Sequence, residues 1–118
     1  MKENIIQQKS FAFAIRIVKA YKYLQTEKKE FVLSKQLLRC STSVGANVEE
    51  VIGGQSKKDF IAKISISYKE ARETMYWVKL LKATFYLEDK EAESILNNAE
   101  ELCKIPSSIL VSSKQNNS

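Results

Sequence analysis

Apolar residues recur at steps of three and four through four separate stretches of this chain, a spacing that fits α-helices and rules out alternating strands. The repeats are Phe13, Ala14, Ile17, Val18, Tyr21, Leu24; then Leu33, Leu37, Cys40, Val44, Val48, Val51; then Phe60, Ile64, Tyr68, Ala71, Met75, Val78; and last Ala92, Ile95, Leu96, Ala99, Leu102, Cys103. Only three glycines and one proline interrupt 118 residues, so the connectors between these stretches are short. Four amphipathic helices on short connectors predict an all-α, antiparallel up-down-up-down four-helix bundle, with helices about 5–25, 35–52, 57–83 and 88–105. The expected organisation is one domain over 1–111 and a disordered polar tail over 112–118.

Local signals place the helix ends. Ser34 is a candidate cap for the second helix, with Leu33 and Leu38 as its hydrophobic staple. Gly53-Gly54 supplies the stop, and Ser56 with Asp59 caps the third helix. Glu88, Asp89, Glu91 and Glu93 suit the positive end of the fourth, which Pro106 should kink or end, leaving room for one more turn through Ile109 and Leu110.

The second stretch is unusual in its small residues, Cys40-Ser41-Thr42-Ser43-Val44-Gly45-Ala46, which let neighbouring backbones come close. Arg39, Ser43 and Glu50 fall on one flank with Asn47 at its border, beside the apolar stripe. Together with Glu70 on the third helix they are expected to form a buried or interfacial structural polar network that fixes register and oligomer state. The same region is the best place to look for a catalyst, since Glu70 and Glu73 have the i, i+3 spacing of di-metal bundles. Those bundles require histidine, and the chain has none. Phosphate loops, nucleophile elbows and Cys/His pairs are also missing, so no enzyme, metal or cofactor is expected. Cys40 and Cys103 read as small core residues with no disulfide.

Helix three carries a second stripe, Ile66, Glu73, Trp77 and Leu80, almost opposite its core stripe. A helix of a four-helix bundle has one face to bury, so this stripe is assigned to an oligomer interface, together with Ile15 and Tyr23 on the basic side of helix one. Charge is clustered as well. The net +5 is distributed as +4 over 1–25, 0 over 26–54, +4 over 55–87 and −3 over 88–118. Lys9, Arg16, Lys19 and Lys22 on helix one, with Lys63 on helix three, are the candidate nucleic-acid-binding residues. No apolar run approaches a membrane span and no signal-peptide core opens the chain, so a cytoplasmic protein with no membrane contact is expected.

Five segments carry a family likeness: Lys9-Ser10-Phe11-Ala12-Phe13-Ala14, Leu33-Ser34-Lys35-Gln36-Leu37-Leu38-Arg39, Ser43-Val44-Gly45-Ala46-Asn47-Val48-Glu49-Glu50, Ser56-Lys57-Lys58-Asp59-Phe60 and Lys69-Glu70-Ala71-Arg72-Glu73-Thr74. In these the chain resembles the four-helix-bundle proteins encoded in 23S rRNA intervening sequences, related to the accessory proteins of diversity-generating retroelements. Cys40-Ser41 stands where many members have Ser-Gly. The resemblance implies a small bacterial bundle that assembles into a ring-like homopentamer with a positive surface, and brings no settled biochemical activity. Two functions follow: a non-enzymatic oligomer that associates with rRNA or other RNA or DNA without sequence specificity, or a homo-oligomeric scaffold for a protein partner.

Overall fold

The computed structural model describes residues 2–52 and 56–115, with side chains placed over 5–52 and 56–113. Four helices fill it: α1 (Lys2–Thr26), α2 (Leu33–Ile52), α3 (Lys57–Ala83) and α4 (Asp89–Gln115). Each packs on its chain neighbour, and α4 closes back on α1, the lightest of the four contacts. Side-chain pairs fix the directions. Gln7 meets Glu49, Ser67 meets Val44 while Lys63 meets Glu50, Lys82 meets Glu93, and Arg16 meets Ser94 while Lys9 meets Glu101. With Ser10 against Gly45 and Met75 against Cys103 as second contacts for α1–α2 and α3–α4, one sequence number falls as the other rises between every two neighbours, so all four are antiparallel. The result is an up-down-up-down bundle 49 × 22 × 21 Å, with α1 diagonal to α3 and α2 diagonal to α4.

The core has two parts. The larger joins Phe13, Ile17 and Leu24 of α1 to Leu37 and Val44 of α2, Ala71, Val78 and Leu81 of α3, and Ile95, Ala99 and Leu102 of α4. The smaller, at the end where α1 begins and α4 finishes, gathers Ile6, Val48, Val51, Ile64 and Ile109. That second cluster explains why α4 runs ten residues beyond the expected boundary at 105, straight through Pro106. Proline removes one helix hydrogen bond at a cost of about 3 kcal/mol. Burying Ile109, with Ile105 and Leu110 packed beside it, offsets that cost at about 1.5–3 kcal/mol per side chain. Residues 112–115 of the expected tail are therefore helical, and 116–118 lie outside the described residues, as does the Gly53-Gly54 stop.

The start of α2 also differs from expectation. The carboxylate of Glu30, not the hydroxyl of Ser34, takes up the free N–H groups of the first turn. It accepts from Val32, Leu33 and Ser34 at 3.3, 3.1 and 2.7 Å, while the Ser34 hydroxyl donates back to the Glu30 carbonyl at 2.8 Å. Burial pushes this carboxyl pKa up, but the three main-chain donors and the Ser34 hydroxyl outweigh it and hold the pKa below its ordinary 4.5. Ser56 caps α3 as expected, accepting from Asp59 N–H at 3.1 Å.

Candidate functional site

The polar residues flanking α2 separate into three groups rather than one network. Arg39 is the hub of the first: its guanidinium reaches Glu70 at 3.5 Å and pairs with Glu73, whose carboxylate also accepts from Trp77 Nε1 at 2.9 Å. Asn47 forms the second on its own helix, donating to the Ser43 carbonyl at 2.8 Å and hydroxyl at 3.1 Å. The third is Glu50 with Lys63 at 2.9 Å; the hydrogen bond to Glu50 raises the Lys63 pKa. Spacing along the flank placed all of these residues on one side, but the partners differ: Asn47 bonds within its own turn, while Arg39 and Glu50 reach α3.

Between α2 and α3 the small residues do what their size permits. Ser67 donates to the Val44 carbonyl at 3.0 Å, and Thr74 donates to Cys40 Sγ at 3.3 Å. Cys40 and Cys103 are both buried free thiols. Burial drives the Cys40 pKa up to about 11, the Thr74 hydrogen bond opposing it. No buried side-chain nitrogen or oxygen among the described residues lacks a partner.

The second stripe of α3 lies on the outer α2–α3 face. Ile66 and Tyr76 are exposed and Leu80 is half-buried. Trp77 packs partly on the chain's own core and meets Tyr76 edge-to-face, with ring centroids 5.1 Å apart. On the opposite side of the bundle, the outward face of α1 exposes Ile15 and Tyr23. It also exposes Phe11, 66% accessible and one turn before Ile15, which sequence reasoning passed over although the i, i+4 spacing was there to read. Since α1 and α3 are diagonal, these two unlike apolar faces point away from each other.

The five expected cations divide in the same way. Lys9 pairs with Glu101 at 3.2 Å; Arg16 bonds Asn98 at 2.5 Å, Ser94 at 2.8 Å and Glu91 at 3.4 Å; Lys63 is held by Glu50. Lys19 and Lys22 are exposed, with no ion pair among the described residues. The acidic character of α4, legible in the net −3 over 88–118 but not as a partner for α1, is what neutralises half of the basic side of α1. Carboxylates are similarly committed: Glu50, Glu70 and Glu73 each face a cation, and no cluster of three His, Cys, Asp or Glu residues occurs among the described ones. No helix is long and apolar enough to cross a membrane.

A bundle of this topology, with committed polar pairs and two unlike apolar faces, belongs to the class of small all-α four-helix-bundle proteins. The family model described as 23S rRNA-intervening sequence protein matches residues 2–108, and the chain belongs to that family. A crystal structure of a protein with unknown function from the S23 ribosomal protein family of Bacteroides thetaiotaomicron VPI-5482 shares 50% identity and a TM-score of 0.91, covering 93% of this chain and 98% of that one. No curated protein matches.

Proposed function

We propose that this protein is a non-enzymatic homo-oligomer that associates with RNA or other nucleic acid through shape and charge. The observation that carries the assembly is the pair of diagonal faces, Phe11 and Ile15 on α1 against Ile66 and Tyr76 on α3. Two different patches on opposite sides suit head-to-tail association, which closes into a ring when the rotation between copies permits; the family likeness suggests five copies. A ring repeats Lys19 and Lys22 around itself, so that contacts weak in one copy add through multivalency. The family's tie to 23S rRNA intervening sequences supports a nucleic-acid partner, and the net charge of +5 is of the right sign.

Light scattering tests the assembly, a species of several times 13.5 kDa being expected and a clean monomer overturning it. For the partner, the Lys19→Gln/Lys22→Gln variant leaves every internal ion pair in place. Wild type should bind an RNA duplex and lose at least about tenfold affinity between about 50 and about 200 mM salt. The variant should bind more weakly with unchanged mass and melting. The alternative, a scaffold for a protein partner, is favoured by the internal pairing of Lys9, Arg16 and Lys63, and takes over if no nucleic acid binds at low salt.

A further inference from the structure

The two connectors 27–32 and 84–88 lie at the same end of the antiparallel bundle, and there the chain exposes Phe31, Val32 and, above all, Phe85, 87% accessible. Phe85 has φ 68°, in the left-handed region that favours glycine. It holds the position that closes α3: its N–H donates to the Lys82 carbonyl at 3.1 Å, and the next N–H, of Tyr86, to the Leu81 carbonyl at 2.9 Å. Glycine would make both bonds without a side chain in the way. The ring contributes little burial inside the chain, since the inward packing of this turn comes from Tyr86 and Leu87. A bulky residue kept at a strained position, with its ring in water, points to a use outside the fold.

Phe85 is one wall of an open groove of about 620 Å³ between the end of α3 and the start of α4, with Leu96 and Ala83 as apolar lining and Lys79, Lys82, Asp89 and Glu93 at its rim. Lys82 is held by Glu93; Lys79 has no ion pair among the described residues and is free to meet a phosphate. Asp89 can accept from the amino group of a base. We propose that this groove takes an unpaired nucleobase of single-stranded RNA, stacked on Phe85 with its phosphate on Lys79. The inference rests on the nucleic-acid reading above, and specifies a second mode that a duplex, whose bases are already stacked, cannot use.

Fluorescence anisotropy with a labelled oligocytidine and an RNA duplex of equal length tests it on wild type, Phe85→Gly and Phe85→Tyr. Phe85→Gly should bind the single strand about tenfold more weakly, Phe85→Tyr like wild type, and both should bind the duplex unchanged. Melting and light scattering on the same samples confirm an intact assembly. Unchanged oligocytidine binding by Phe85→Gly overturns the stacking site, as does failure of Phe85→Tyr to retain it. An equal loss on both probes assigns the ring to a contact between protein chains and overturns it too. Wild type that binds the duplex but not oligocytidine sinks this inference alone; wild type that binds neither sinks the nucleic-acid reading with it.

Discussion

Ser67 on α3 donates its hydroxyl to the main-chain carbonyl of Val44 on α2 across 3.0 Å, both residues fully buried. The bond exists because neither helix carries a large side chain at the crossing. Ser67→Ala should cost about 1 kcal/mol in chemical denaturation, the net worth of one buried hydrogen bond. Ser67→Leu should cost more, by forcing the helices apart.

Gly45 faces α1 at the equivalent close approach, where a Cβ would stand 3.4 Å from Ser10 Oγ and 3.6 Å from its Cβ. That is ordinary contact. Gly45→Ala should therefore be tolerated and raise stability by about 0.5–1 kcal/mol through helix propensity, whereas Gly45→Leu should lower the melting temperature by driving atoms into Ser10.

Glu30 sets the acid response. Its folded pKa lies below the unfolded value of about 4.5, so its contribution is fully present above that pH and is lost as pH falls through the folded pKa. Glu30→Gln should lose about 1–2 kcal/mol at pH 7, and urea curves of variant and wild type should converge in acid. A gap that persists well below pH 4 would contradict the charged cap.

Arg16 is expected to matter for folding more than for partner binding. Its bonds to Asn98, Ser94 and Glu91 span the α1–α4 contact, the lightest in the bundle. Arg16→Gln should destabilise by about 1 kcal/mol, read by thermal melting, with little change in duplex binding beyond one lost charge.

Cys40, with its pKa pushed up to about 11 and no exposed surface, should resist alkylation at neutral pH. Labelling should follow global unfolding and accelerate only in denaturant; fast reaction in the native protein would show that the α2–α3 seam opens.

Helix number, order and inward faces were legible in the sequence because they follow from periodicity, which is local: Leu37, Val44, Ile64, Val78, Ile95 and Leu102 all lie in the core expected of them. The small residues of α2 likewise announced a close approach before any partner was known. What the sequence could not decide was pairing, because a side chain chooses among neighbours that only the fold supplies. Arg39 took Glu73 and Glu70 while Asn47 stayed with Ser43, and Lys9 and Arg16 turned to α4 rather than to solvent. Pro106 reads as a kink or an end by local rules, and becomes the interior of a helix that runs on to Gln115 because Ile109 finds Ile6, Val48 and Ile64 across the bundle. Local propensity is worth about 3 kcal/mol at most there, and the distant contacts that oppose it exist only once four helices have come together.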